Sequence, residues 1–283
     1  MRDDFAAFIL THGRPDNVRT LRSLELSGYT GRVYLVIDDE DESGAEYRER
    51  YGDRVLTFSK DAVGETFDQY DQSPDRRSIV WARNACWQLA RDVGARYFVQ
   101  LDDDYTSFLY RRPGTRDGAL GYHGWTIRSL DDVLAAMVAF VEETPAHALC
   151  MSQGGDHMGG ADSANAARAR LLRKAMNSFV LDAERPFPFS GRINEDVNTY
   201  VGLGALGYLL LTYSALQLNQ LGSQSNAGGM TDLYLESGTY VKSMFTVLVA
   251  PSCVEIRSMG RTSRRLHHYV SWRHAVPKIL AEP

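Results

Sequence analysis

The sequence predicts an α/β fold built on a mostly parallel sheet, and two observations carry this prediction. Short apolar runs of strand length alternate with stretches of helical periodicity through the first third of the 283 residues. This repeated order of strand, helix and strand implies right-handed crossovers between parallel strands. Several apolar runs also end in polar residues, and in an open parallel sheet ligands sit beyond those strand ends.

The elements of the first half follow one another in a regular order. The predicted strands are FAAFILTH (5–12), RVYLVIDD (32–39), RVLTFSK (54–60) and ARYFVQLDDD (95–104). The predicted helices are RPDNVRTLRSLELSG (14–28), SGAEYRERYG (43–52) and SIVWARNACWQLARDVG (78–94). Each helix ends at a glycine, which is a common stop signal. Residues 61–77 are polar and contain Gly, Pro and several Asp, so they are predicted to form a loop.

The second half is expected to mix strands and helices. Residues 110–125 are Gly-rich and are predicted to leave the regular structure, whereas 129–144 form a helix that Ser129 caps, with Asp132 in a capping-box position. Residues 147–155 form a strand, and 156–170 are expected to form a mobile loop. No linker divides the chain, so we expect a single domain over residues 1–283.

Composition places the chain among ordinary globular proteins, with 44% hydrophobic and 24% charged residues. No apolar run is long enough to cross a membrane, and the first residues lack the apolar region and cleavage site of a signal peptide, so a cytoplasmic protein is expected. The three cysteines are far apart and are expected to be buried thiols. The net charge of −5 argues against a general nucleic-acid coat, although short basic clusters occur at 111–112, 168–174 and 260–268.

Three consecutive carboxylates, Asp102, Asp103 and Asp104, end the strand YFVQL. Adjacent carboxylates in a cleft repel one another unless a cation neutralises them, and oxygen ligands suit Mg²⁺ or Mn²⁺. Alternate residues of a strand share a face, so Asp102 and Asp104 are predicted to point at one ion while Asp103 turns away. The alternative interpretation is that the three aspartates cap a loop or a helix.

The strand ending in D-x-D, the opening ILTHGRPDN, the second strand VIDDED and the helix WARNACWQLA together resemble a GT-A glycosyltransferase. The resemblance implies a GT-A fold whose residues 1–110 bind a nucleotide-sugar and whose residues 111–283 bind the acceptor and carry out catalysis. It implies that Mn²⁺ or Mg²⁺ binds Asp102 and Asp104. It also implies a set of donor-binding residues: Thr11, His12, Arg14, Asp38, Asp39, Arg83, Asn84, Asp102 and Asp103. For Arg83 the alternative is a salt bridge on the face of its helix.

The same resemblance extends to two motifs of the second half. The acids of GRINEDVNTYV suggest an acceptor-side general base, with Asp196 preferred and Glu195 as the second choice. Alternatively, both are first-turn acids that the helix dipole favours. A histidine near the C-terminus often joins the metal in this family, and His267 or His268 could take that role. Lys278 and Arg265 could instead contact phosphates.

Among GT-A enzymes the motifs THGRPDN, ARN, QLDDDY, GRINEDVNTY and HHYVSWRHAVPKIL look most like those of the TET/JBP-associated glycosyltransferases of phage DNA-base hypermodification. That resemblance implies transfer of glucose from UDP-glucose to the hydroxymethyl group of 5-hydroxymethylcytosine or 5-hydroxymethyluracil in DNA, in the host cytoplasm if a phage encodes the chain. Aromatic residues near the basic clusters could stack on a base or belong to the core: Tyr122, Trp125, Tyr269 and Trp272. The expected DNA-contacting residues are Arg168, Arg170, Arg173, Lys174, Arg264 and Arg265.

Other functions remain open at this stage. A glycosyltransferase with a polysaccharide, protein, lipid or small-molecule acceptor would share the donor site, although a membrane-bound one should carry an amphipathic anchor. A sugar nucleotidyltransferase should carry a Gly-rich phosphate loop after the first strand, and THGRPDN matches that poorly. A non-catalytic metal-dependent module that binds nucleotide or DNA would bind metal without turnover.

Overall fold

One large mixed sheet with helices on both faces forms the centre of the molecule. The computed structural model describes residues 1–116, 119–157, 169–220, 230–259, 265–275 and 279–281. The strands of the sheet are β1 (Phe5–Leu10), β2 (Arg32–Asp38), β3 (Val55–Phe58), β4 (Tyr97–Asp102), β5 (Tyr105–Arg116), β6 (Ala119–Thr126), β7 (Ala146–Ser152), β8 (Leu171–Leu172), β9 (Phe179–Asp182) and β10 (Leu209–Gln220). A separate antiparallel ribbon consists of β11 (Val254–Met259) and β12 (Arg265–Val270).

The helices alternate with these strands. They are α1 (Arg19–Leu26), α2 (Gly44–Tyr51), α3 (Lys60–Gly64), α4 (Val80–Asp92), α5 (Leu130–Glu143), α6 (Glu195–Ala205), α7 (Met230–Val249) and α8 (Trp272–Ala275). Helix α7 is interrupted at Gly238, whose φ of 72° is not helical. In the part of the chain that the structure describes, no helix has the length and apolar character needed to cross a membrane.

The first half of the sheet is parallel, as the sequence predicts. The strand order is β3-β2-β1-β4-β9-β7-β10-β5-β6, and β8 pairs with β10. Leu10 of β1 lies opposite Val36 of β2 on one side and Asp102 of β4 on the other. The ends of β1, β2 and β4 therefore meet at one edge of the sheet, which we call the carboxyl edge.

The second half is mixed, which agrees with the predicted fold class. Strand β9 is antiparallel to both β4 and β7, and β10 is parallel to β7 but antiparallel to β5. The prediction that 110–125 leave the regular structure is wrong, because β5 and β6 form a long antiparallel hairpin there. Its glycines admit close neighbours instead of breaking the strands: a Cβ on Gly124 would lie 2.9 Å from Leu109 Cδ1.

Three local predictions also differ from the structure. Residues 61–77 do not form a loop throughout, because α3 begins at Lys60, whose amide donates to Asp39 Oδ1 at 3.0 Å. Helix α5 follows Ser129 as predicted, but the Ser129 side chain makes no capping hydrogen bond. Helix α1 begins at Arg19, several residues after its predicted start.

Apolar side chains cover both faces of the sheet and so fix which way each strand residue points. Tyr97, Val99 and Leu101 of β4 pack toward α1 and α5, whereas Phe98 packs toward α4 and α6. Asp102 ends β4 on the same face as Phe98, whereas Asp103 and Asp104 follow it in a turn. The three cysteines are buried and free, as predicted.

Candidate active site

Arg83 connects the two halves of the site from a fully buried position. It lies on α4 and is only 1% exposed. Its Nη2 atom donates to Asp102 Oδ1 at 3.3 Å, and its Nε atom donates to Glu195 Oε1 at 3.1 Å. The alternative interpretation of Arg83 was a salt bridge on the face of its helix, and Arg83 does form salt bridges, but they are buried. A buried arginine joins the end of β4 to the start of α6.

Asp102 and Asp104 both have a raised pKa, which means that their charged forms are disfavoured in the metal-free protein. For Asp102, burial together with the charges of Asp104 and Glu195 outweighs the pull of Arg83 and raises the pKa to about 7. Burial and the neighbouring Asp103 raise the pKa of Asp104 to about 6. Carboxylates crowded in this way favour a cation at the carboxyl edge.

Asp103 belongs to a different set of contacts, on the face opposite Asp102. Its carboxylate accepts hydrogen bonds from Thr11 Oγ1 at 2.8 Å and from Arg14 Nη1 at 3.2 Å. Thr11 Oγ1 also lies 2.7 Å from the hydroxyl of Tyr47. Asp103 is 6% exposed, so this cluster ties the ends of β1 and β4 together. Thr11, Arg14 and Asp103 thus contact one another, and their role in donor binding stays a prediction.

His12 and Asp38 form a second polar cluster where β1 and β2 end. His12 Nδ1 lies 2.8 Å from Asp38 Oδ2, and this hydrogen bond raises the pKa of the half-exposed imidazole. Burial would raise the pKa of Asp38, but hydrogen bonds from His12 and Lys60 outweigh it and lower the pKa to about 2. Asp39 is exposed and accepts from the amide of Lys60.

Sequence reasoning missed two residues of this cluster. Lys60 is buried, and its Nζ lies 3.0 Å from Asp38 Oδ1 and 3.2 Å from Glu40 Oε2. Asp41 is buried too, and its Oδ2 accepts from the amide of Gly13 at 2.8 Å. The acid run VIDDED and a lysine at the end of the third strand were the available signals. Neither signal predicts that the side chains of Lys60 and Asp41 are buried, because burial depends on packing between strands.

Asn84 lies beside Arg83 on α4 but bonds to backbone. Its Nδ2 donates to Val80 O and to Phe189 O, both at 2.9 Å, and its Oδ1 accepts from the amide of Phe189 at 2.9 Å. Asn84 therefore holds the segment that precedes α6 against α4. Its predicted contact with a donor stays a prediction.

Glu195 and Asp196 start helix α6 and are both buried. The first-turn interpretation is compatible with this position, since the helix N-terminus favours negative charge. Glu195 is bonded to Arg83, whereas Asp196 Oδ1 accepts from the amide of Val197 at 2.7 Å. Burial raises the pKa of Asp196 to about 6, and Glu195 adds to the rise. The raised pKa of Asp196 suits a base near neutral pH.

The residues at the end of β4 fit a hard divalent cation, whereas the histidines are not shown to join them. In the described residues, no three His, Cys, Asp or Glu side chains come together as a metal-binding group. His267 and His268 lie on β12 with ring centroids 4.2 Å apart. Burial lowers the pKa of His268 to about 4, and His267 and Lys242 lower it further. Asp102 and Asp104 would hold the ion, and the histidine ligands remain a prediction.

The predicted DNA-contacting residues are only partly described. Arg168 and Arg264 lie outside the described residues, and so does the side chain of Arg265. Most of the loop expected at 156–170 also lies outside them, as does Lys278, the residue suggested as a phosphate contact. Of the remaining three, Lys174 forms an ion pair with Asp156, and Arg170 exchanges backbone and hydroxyl hydrogen bonds with Ser214. Arg173 is half-buried, and burial lowers its pKa.

The four aromatic residues divide between packing and contact with arginines. Trp272 stacks on Tyr200 with centroids 5.5 Å apart. The guanidinium of Arg257 lies over the ring of Tyr269. The guanidinium carbon of Arg112 lies 4.9 Å from the ring centroid of Trp125, and that of Arg111 lies 5.7 Å from the ring centroid of Tyr122. Strand β5 starts at Tyr105, and Arg111 and Arg112 lie six and seven residues further along it. Their use as DNA-binding material remains a prediction.

Solved structures that share a broadly similar arrangement include two enzymes with nucleotide ligands. One is glucosyl-3-phosphoglycerate synthase from Mycobacterium tuberculosis with Mn²⁺, UDP-glucose and phosphoglyceric acid, at 10% identity and a TM-score of 0.45, covering 92% of this chain and 85% of that one. Another is GalNAc-T7 with UDP, GalNAc and Mn²⁺, at 10% identity and a TM-score of 0.44. The match covers 76% of this chain and 43% of that one. Identities this low with TM-scores below 0.5 assign no function to this chain. No curated protein matches the sequence.

A family model settles the class of enzyme. The model described as TET-Associated Glycosyltransferase matches residues 5–229, which include β1 to β10 and all of α6. The matched range thus covers Arg83, Asp102 and Glu195, the three residues that join the halves of the site. The chain belongs to the TET-associated glycosyltransferase family.

Proposed function

We propose that this glycosyltransferase uses a divalent metal to transfer glucose from UDP-glucose to the hydroxymethyl group of a modified pyrimidine in DNA. The observation that carries the proposal is the Asp102–Arg83–Glu195 linkage. It joins Asp102, a carboxylate suited to a metal, to Glu195 at the start of α6, which supports a donor diphosphate and an acceptor hydroxyl meeting near these residues.

On the donor side, Asp102 and Asp104 are the proposed metal ligands, and the ion is Mn²⁺ or Mg²⁺. Such an ion offsets the charge that builds up on a leaving diphosphate. The cluster of His12, Asp38 and Lys60 at the ends of β1 and β2 is the proposed site for the nucleoside. UDP as the nucleotide and glucose as the sugar follow from the resemblance of the sequence motifs.

On the acceptor side, Asp196 is the proposed general base. An attacking hydroxyl must lose its proton as it bonds to the anomeric carbon, and a positioned carboxylate accepts it. The carboxylate of Glu195 is paired with the buried guanidinium of Arg83, so it is already engaged in an ion pair. Glu195 instead holds α6 in place against the donor side.

DNA as the acceptor is supported by the family, whose name associates it with TET enzymes, and by the motifs in the sequence. A base in a duplex must leave the stack before its substituent can reach residues at the end of β4 and the start of α6. Phosphate contacts from Lys and Arg would supply most of the affinity and make it sensitive to salt.

Nucleoside mass spectrometry tests the proposal. The protein is incubated with UDP-glucose, Mn²⁺ and DNA that contains either 5-hydroxymethylcytosine or 5-hydroxymethyluracil, with unmodified DNA as the control. Addition of one hexose to a hydroxymethylated base, and none to unmodified DNA, is the expected result. If UDP is released but no base gains a sugar with any UDP-sugar, the enzyme is a glycosyltransferase with another acceptor, and the DNA proposal is wrong.

A further inference from the structure

We propose that Arg192 and Asp71 are positioning residues for sugar transfer. Their ion pair fixes the turn of residues 190–194, which presents Glu195 and Asp196 at the start of α6. The inference rests on the proposed function, because it assigns the pair to the step in which Asp196 is the proposed base. Neither residue touches the reacting groups, so both act through α6.

Arg192 is buried whereas Asp71 is partly exposed, and several contacts hold the geometry of their ion pair. Arg192 is 7% exposed. Its Nη2 atom donates to Asp71 Oδ2 at 2.9 Å, its Nε atom lies 3.2 Å from the same oxygen, and its Nη1 atom lies 3.6 Å from Asp75 Oδ2. A guanidinium held through two of its nitrogens has little freedom to rotate, so it fixes orientation as well as distance.

Backbone hydrogen bonds join the same two segments on either side of the ion pair. The amide of Gly191 donates to Asp68 O at 2.8 Å, and the amide of Arg192 donates to Gln69 O at 3.0 Å. From the far end of the loop, Ser78 Oγ donates to Arg192 O at 2.8 Å. The loop of residues 65–78 therefore holds the 190–194 turn through backbone and side chain together.

The turn itself needs such support because its backbone adopts sparsely populated conformations. Gly191 has a φ of +86°, and a Cβ there would lie 2.2 Å from Asn198 Nδ2. Asn194, which immediately precedes α6, has a φ of 55° in the left-handed region. Conformations of this kind persist only where the surroundings impose them, and Arg192 lies between the two positions.

The same loop is also attached to the donor side. Arg76, next to Asp75, contacts Glu40 Oε1 at 3.0 Å. Glu40 contacts Lys60, and Lys60 contacts Asp38 at the end of β2. One loop therefore binds the proposed nucleoside cluster at one end and the turn before α6 at the other. Its attachment to Arg192 sets where Asp196 lies relative to the donor.

Steady-state kinetics of Asp71→Asn test the inference. We expect kcat for transfer to fall about 10- to 100-fold, because small misplacements of a reacting group are costly. The KM for UDP-glucose should stay within about twofold, because the donor residues are untouched. Asp71→Glu, which keeps the carboxylate, should recover part of the loss. Glu184→Gln, which removes a surface ion pair with Arg96, is the matched control and should leave kcat unchanged.

Hydrogen exchange provides a readout that needs no activity. In Asp71→Asn the amides of residues 191–196 should exchange faster, while those of β1 and β4 keep the wild-type rate. If the wild type is active, an unchanged kcat in Asp71→Asn would overturn the inference. Equal amide exchange rates at residues 191–196 in Asp71→Asn and the wild type would overturn it too. If the wild type itself neither transfers glucose nor hydrolyses UDP-glucose, the proposed function fails, and the exchange rates still decide whether the pair fixes the turn.

Discussion

The Nε atom of Arg83 lies 3.1 Å from Oε1 of Glu195, although the two residues are separated by 112 positions in the sequence. The same guanidinium reaches Asp102 at the end of β4 and lies over the rings of Phe179 and Phe189. Through this one cation, the strand that ends in the proposed metal ligands and the helix that begins with the proposed base share a fixed geometry.

Arg83→Met should destabilise the protein strongly. Removal of one partner from a buried ion pair leaves the other charge uncompensated, which costs about 3 to 5 kcal/mol in the free energy of unfolding. Urea denaturation measures the loss. Arg257→Met is the control, because that arginine is half-exposed and pairs with the exposed Glu255, and it should cost less than about 1 kcal/mol. Equal losses for the two variants would contradict the role given to Arg83.

Asp104→Ala should abolish metal-dependent binding of UDP. In the described residues no side chain donates a hydrogen bond to this carboxylate. The substitution therefore mainly removes a ligand of the proposed ion. Isothermal titration calorimetry with UDP, with and without Mn²⁺, measures the effect. Asp103→Asn is the comparison variant. It should keep metal-dependent binding but lower the melting temperature, because Asp103 holds Thr11 and Arg14. Unchanged UDP affinity in Asp104→Ala would refute the ligand assignment.

Asp196→Asn should keep donor binding and lose transfer. An asparagine fills nearly the same volume but cannot accept the proton of the attacking hydroxyl, so kcat should fall by about 100-fold or more. Asp132→Asn changes an exposed acid in the first turn of α5 and controls for a simple helix-dipole effect. Transfer by Asp196→Asn at near the wild-type rate would show that another group is the base.

Stabilisation by the metal should weaken as the pH falls. Without metal, the folded-state pKa of Asp102 is raised to about 7 and that of Asp104 to about 6, so their ionisation destabilises the fold above those values. Protonation relieves this cost as the pH falls, and protons then compete with the ion for the same oxygens. The rise in melting temperature caused by Mg²⁺ should be larger near about pH 8 than near about pH 5.5.

Asp104→Ala is the control for that pH series. It should show little metal-dependent shift at either pH, because the proposed ligand is missing. A shift that is equal at both pH values in the wild type would mean that the ion binds elsewhere. Differential scanning fluorimetry over a pH series, with and without Mg²⁺, is sufficient to distinguish these outcomes.

Much of the fold was predictable because its signals are local. The apolar runs of β1, β2 and β4 are short, and they are separated by helical periodicity, so the parallel order followed. The hairpin of β5 and β6 was not predictable in the same way. Its glycines are typical of loops, and only the structure shows that Gly124 lies against the side chain of Leu109 on the other strand.

The sequence by itself determined which acids end β4 and begin α6, and that alternation along β4 would separate Asp102 from Asp103. Only the tertiary structure decided that Arg83 is buried between Asp102 and Glu195. It also decided that Arg192 is held by Asp71, which lies in a loop 121 residues earlier in the chain. The physical reason is that patterning acts between neighbours in the chain. Burial and ion pairing act between residues that the packing of strands and helices brings together.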